Sequence, residues 1–85
     1  MARVRYKNNI TQYAMSGKIE TSNSNAVTFK NIGNDTFKVN NISFAKGASL
    51  TIVGNENEVD VTEYSLDVGT STDCLCLVIT KVFVD

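Results

Sequence analysis

Cys74 and Cys76 are the only two thiols among 85 residues, and no histidine accompanies them. A cysteine nucleophile needs a neighbouring base, and a zinc site needs further Cys or His ligands. Two residues apart on a strand, these side chains point the same way with Cα atoms about 7 Å apart, the upper limit for a disulfide. Buried, reduced thiols packing as small hydrophobes are therefore expected, in a chain made in a reducing cytoplasm. The run Asn55-Glu56-Asn57-Glu58-Val59-Asp60 sets oxygen-bearing side chains at alternate positions, as cation loops do. A calcium loop also needs Gly at its sixth position and a bidentate Glu at its twelfth. Counted from Asn55, the sixth position is Asp60, so a solvated acidic hairpin tip is the better reading.

Other chemistry is equally thin. Arg3, Arg5 and Lys7 alternate with Val4 and Tyr6, which puts three cations on one side of a short strand. Three cations fall short of a nucleic-acid surface; they suit a solvated edge better than a local anchor to an acidic protein groove. Sequons at Asn9, Asn34 and Asn41 match what chance gives in a chain with this much Asn, Ser and Thr. No Ser–Lys spacing or Gly-rich phosphate cradle stands out, and without His the usual proton shuttle is missing. We expect no enzyme activity, no cofactor and no resident metal.

Composition sets the frame around these residues. At this length one domain is the limit, with a core modest enough that neighbouring subunits would help to stabilise it. A formal charge of −1 gives no bulk attraction to nucleic acid or to an anionic membrane. No apolar run reaches the roughly 18 residues of a membrane span, and the first residues lack a secretory apolar region. Val, Ile and Thr supply 25 residues and Asn another 10, with no Pro. Branched side chains favour strands, and Asn favours tight turns. Charge is split along the chain: seven of eight cations lie in residues 1–46 and six of nine anions between Glu56 and Asp73. Such a chain can pair its own halves, the expected arrangement, or present opposite signs to copies of itself or to a partner.

The expected fold is all-β, a small antiparallel β-sandwich of jelly-roll or immunoglobulin-like type. Residues 1–25 form an N-terminal arm or edge segment, and residues 26–85 form the sandwich. Alternation marks strands at Val27–Ile32, Thr36–Val39, Ile42–Phe44 and Ser49–Val53. Asn40-Asn41 suits the two positive-φ sites of a tight hairpin turn. A fifth strand begins at Val59 and Val61 and continues through Tyr64, Leu66 and Val68.

The last strand is apolar on both faces. Leu75, Leu77, Ile79 and Phe83 alternate with Cys76, Val78, Val82 and Val84. Such a strand must be covered on both sides, and a two-layer domain covers only one. The second face is expected to be covered by the N-terminal segment or by another polypeptide, the latter favoured because a bare face would be an aggregation hazard. The expected interface comprises Cys76, Val78, Val82 and Val84, with Arg3, Arg5 and Tyr6 from the N-terminal segment.

The run from Val27 to Ile42, with Lys46-Gly-Ala-Ser-Leu-Thr-Ile and Asn55-Glu-Asn-Glu-Val-Asp, resembles small β-rich structural proteins of tailed bacteriophages. The likeness is greatest to those of crAss-like and other phages of gut Bacteroidales, in which an N-x-G turn and a G-x-S-φ-x-I run build a compact sandwich. It covers residues 26–66, about half the chain, and transfers no catalytic or ligand residue. It implies a virion component, present in many copies and made in the host cytoplasm: a capsid decoration protein, auxiliary capsid protein or head-fibre subunit. Partners would be other copies of itself, the major capsid protein or other virion proteins. The competing expectation is a soluble binding module, either a reader of carbohydrate or a receptor, with Tyr6, Tyr13 and Tyr64 as the aromatic platforms available, or a protein inhibitor.

Overall fold

The computed structural model describes residues 5–21, 23–55 and 58–84. Eight strands follow in order: β1 Arg5–Tyr13, β2 Gly17–Ile19, β3 Ser24–Asn31, β4 Phe37–Val39, β5 Ile42–Phe44, β6 Ser49–Val53, β7 Tyr64–Asp67 and β8 Cys76–Val84. They build two antiparallel four-stranded sheets, ordered β1-β8-β3-β6 and β2-β7-β4-β5. β1 pairs with β8, β2 with β7, β3 with β6 and β4 with β5. That nesting is a long antiparallel ribbon rolled into two layers, and the order is that of a jelly roll. The immunoglobulin order would group the strands differently.

The core lies between the sheets. Val27, Phe29, Cys76 and Val78 of the first sheet face Ile19, Phe37, Val39, Phe44, Tyr64 and Leu66 of the second, all buried. Phe29 packs against Tyr64 at 5.0 Å between ring centroids, and Phe37 stacks on Phe44 at 5.4 Å. Asn40 and Asn41 turn β4 into β5 with φ of 48° and 68°, the two positive values a two-residue hairpin of this hand requires.

Three boundaries depart from the sequence reading. β1 extends to Tyr13, so the polar stretch after Lys7 continues the short strand expected there and is the outermost strand of the first sheet. Its facing positions Lys7, Asn9 and Thr11 are exposed, because the smaller second sheet stops short of them. Polar residues on both faces left no alternation to detect. β3 begins at Ser24, whose hydroxyl donates to the Thr21 carbonyl at 2.6 Å and so stays satisfied while fully buried. Val59 and Val61 do not start a strand; residues 58–63 form a loop, and β7 starts at Tyr64.

Candidate interaction surface

Register decides which residues look outward. In an antiparallel pair, residues directly opposite share a face. Phe83 lies opposite Tyr6, Ile79 opposite Ile10 and Leu77 opposite Gln12. Across β8's other edge, Ile79 lies opposite Thr28 and Leu77 opposite Lys30. Since Cys76 and Val78 point into the core, this whole set points away from it. The outer face of the first sheet therefore carries Tyr6 beside Phe83 and Ile10 beside Ile79 and Leu77, an apolar patch crossed by the Asn8–Lys81 pair; Ile10 is 66% exposed and the other four are half-buried. Tyr6 packs on Phe83 at 4.8 Å between centroids, and the Lys81 ammonium sits 4.3 Å from the Tyr6 ring centre. Lys30 and Lys81 are the charged residues at the described outward strand positions of this sheet, and both are cations.

The second sheet has the opposite character. Its outward positions are Lys18, Lys38, Ser43, Ser65 and Asp67, all exposed, with Lys38 directly opposite Asp67. One face of the sandwich is built for water. The other is greasy and mildly cationic.

The expected interface residues divide accordingly. Cys76, Val78 and Val82 are 0%, 0% and 6% exposed, within this chain's own core, so the expectation that they meet a partner is corrected. Val84 is on the same side and half-buried. Tyr6 is on the outer face, whereas Arg5 lies opposite Val84 and points to the core side of the exposed β1 end. Arg3 lies outside the described residues. Sequence reading found the doubly apolar strand but chose the wrong side as the outer one. The signal that could have corrected it lies on β3, where Val27 and Phe29 define an inward face and Thr28 and Lys30 an outward one. Ile79 and Leu77 fall opposite the latter pair.

The acidic loop uses its carboxylates and amides locally. Asn25, buried on β3, donates through Nδ2 to the carbonyls of Asn55 at 2.7 Å and Glu58 at 2.9 Å. Glu58 Oε1 accepts from the Asn55 N–H at 2.8 Å, and Asp60 Oδ1 accepts from the Thr62 N–H at 2.9 Å. Among the described residues, no three Asp, Glu or Cys side chains converge where a metal ion could be held; Glu56 and Asn57 lie outside them.

The Tyr64 hydroxyl donates to Asp60 Oδ2 at 2.6 Å. This bond draws the Asp60 pKa below its ordinary value, while burial, with the nearby carboxylate, pushes Tyr64 up to about 12. A lowered Asp contributes stability above its unfolded pKa, which is lost as pH falls through the folded one. A raised Tyr contributes below its unfolded pKa near 10, and that contribution is lost as pH rises through about 12. Tyr64→Phe is accordingly expected to cost about 1 kcal/mol at neutral pH. It should also flatten both the acid and alkaline limbs of the stability profile, as urea titrations across pH would show. An unchanged profile would mean that the bond contributes nothing.

Both cysteines are buried free thiols. Cys74 Sγ lies 3.7 Å and 3.6 Å from the carbonyls of Asp35 and Thr36. Burial pushes the Cys76 thiol up to about 11, so it stays protonated and a poor nucleophile at neutral pH.

No family model, curated protein or solved structure matches the chain. Its own geometry therefore carries the functional reading. The three tyrosines are not arranged as an open sugar platform: Tyr6 is stacked between Phe83 and Lys81, and Tyr64 is core. Tyr13 is half-buried, with its hydroxyl accepting from the Glu20 N–H at 3.2 Å. What the arrangement offers is area rather than reactive groups.

Proposed function

We propose that the chain is a non-enzymatic structural protein of a tailed-phage virion, one that packs through the outer face of its β1-β8-β3-β6 sheet. The observation carrying this reading is the contrast between the two outer faces, one polar throughout and one with Tyr6, Ile10, Leu77, Ile79 and Phe83 as an apolar patch that the Asn8–Lys81 pair crosses. Apolar surface removed from water contributes roughly 25 cal/mol per Å², which favours burying such a patch against another polypeptide. Lys30 and Lys81 beside it favour an acidic counterpart. Jelly rolls also build viral capsid domains, an argument by analogy that fits the resemblance of residues 26–66.

Ile79→Lys tests the reading. Ile79 is half-buried between Ile10 and Thr28, so the variant should fold with a loss of about 1 kcal/mol or less. Proteomics of purified phage particles should find the wild-type chain at many copies per particle and the variant strongly depleted. A chain abundant in lysate but missing from particles would refute the virion role. Equal incorporation of wild type and variant would refute the packing face.

A further inference from the structure

β1 is the outermost strand of its sheet and runs in unbroken register from Arg5 opposite Val84 to Tyr13 opposite Cys76. Along its far side lies a nine-residue edge with no bulge and no proline, which makes it a template for another strand. The opposite edge of the sheet, β6, offers five residues.

We propose that two copies of the chain pair antiparallel along β1 about a two-fold axis at Asn9, joining two four-stranded sheets into one of eight. A two-fold axis perpendicular to the sheet keeps core-side residues on the core side in both copies. Centred on Asn9, it uses all nine residues: Arg5 meets the second copy's Tyr13, Tyr6 its Gln12, Lys7 its Thr11 and Asn8 its Ile10.

Charge selects this register. The two Lys7 residues are four positions apart along the seam, ~13 Å at the rise of an antiparallel strand, beyond the ~8 Å over which salt leaves exposed charges coupled. Shifting the axis to Asn8 brings them to ~7 Å, and centring it on Lys7 sets them face to face. A parallel pairing would set Arg5 on Arg5 and Lys7 on Lys7. Shifting the other way shortens the ladder. In the Asn9 register, Arg5 instead arrives opposite the Tyr13 ring of the second copy, where a cation–π contact favours the meeting. The pairing also brings the two Ile10-centred patches together across the seam. It rests on the assembly reading for its purpose, and on the β1 edge alone for its geometry.

Cysteine cross-linking of the full chain tests it. Lys7, Asn9 and Thr11 are exposed, so single substitutions there leave the core intact. Under mild oxidation, Asn9→Cys should give at least about tenfold more covalent dimer than Thr11→Cys, which keeps the Lys7 charges. Directly opposed Cα atoms lie ~4.5–5.5 Å apart, within disulfide reach, and those at residue 11 do not. Mixing Lys7→Cys with Thr11→Cys should restore the cross-link as a heterodimer. Asn9→Cys dimerising no more than the oxidised wild type would overturn the proposal, as would Thr11→Cys cross-linking with itself equally well. Repeating Asn9→Cys in the Ile79→Lys background separates the two readings. A cross-link that persists there is held by the edge; one that vanishes would show that the outer face, not β1, brings the copies together.

Discussion

Asn31→Ala is expected to lower stability by about 4 kcal/mol, since it strands several buried backbone groups at once. Asn31 is 1% exposed at the end of β3. Its Nδ2 donates to the Asp35 carbonyl at 2.8 Å and the Phe44 carbonyl at 2.9 Å, and its Oδ1 accepts from the Gly33 N–H at 3.0 Å. Its backbone N–H donates to the Ala48 carbonyl at 2.9 Å, and its carbonyl accepts from the Gly47 N–H at 3.0 Å. One residue thus ties β3 to the approach to β4, the end of β5 and the turn before β6, latching the two sheets together at this end. A chain of this length holds roughly 4–13 kcal/mol in all, so the loss takes about a third of it or more. Thermal melts should show the midpoint falling by about 15–30 °C. Asn31→Asp, nearly the same shape but lacking the two N–H donors, should be as damaging. A midpoint within a few degrees of wild type for either variant would show that the latch is dispensable.

Gly33→Ala should cost about 3 kcal/mol for a different reason, overpacking against backbone that cannot give way. A methyl group on Gly33 would stand 2.5 Å from the Leu75 nitrogen, 2.8 Å from the Asp73 oxygen and 3.0 Å from the Cys74 carbonyl carbon. The close approach is held by hydrogen bonds on both sides: Ile32 N–H to the Leu75 carbonyl at 3.0 Å and Asn34 N–H to the Asp73 carbonyl at 3.0 Å. Relieving the clash means separating the turn from the segment that leads into β8, which loosens the strand bearing Leu77 and Ile79. Denaturant titration should find a lower midpoint, and amide exchange should quicken first at Ile32, Asn34 and Asp35. A fully stable alanine variant would mean that the two segments do not meet as described.

These two residues explain part of what was legible beforehand. The N-x-G pattern at Asn31-Ile32-Gly33 stood out in the sequence, but its cause lies in partners 13 and 42 residues away, in Phe44 and Leu75. Spacing alone cannot name such partners. The all-β class followed from branched residues and Asn turns, and the Asn40-Asn41 hairpin from local backbone preference, because both are short-range effects. The roll was not legible: nothing local states that β1 pairs with β8 across 62 intervening residues rather than with β2. β1 itself was half missed. With Lys7, Asn9 and Thr11 on one side and Asn8 and Gln12 on the other, its strand character comes from the ladder it makes with β8, not from burial. The candidate surface was legible as an excess of apolar residues in β8. Its orientation was not, since Cys76, Val78 and Val82 are as apolar as Leu77, Ile79 and Phe83. The choice between the two sides is made by β3 and by the facing sheet.

Hydroxyl-radical footprinting, comparing the free dilute chain with the chain inside purified particles, tests whether a second polypeptide covers the outer sheet face. Oxidation at Ile10, Leu77, Ile79 and Phe83 should fall several-fold in particles, while exposed Met15 and Val61, which lie off that face, keep their reactivity. Equal oxidation of the four patch residues in both states would contradict the account, because the outer face would then remain in water in the proposed assembly.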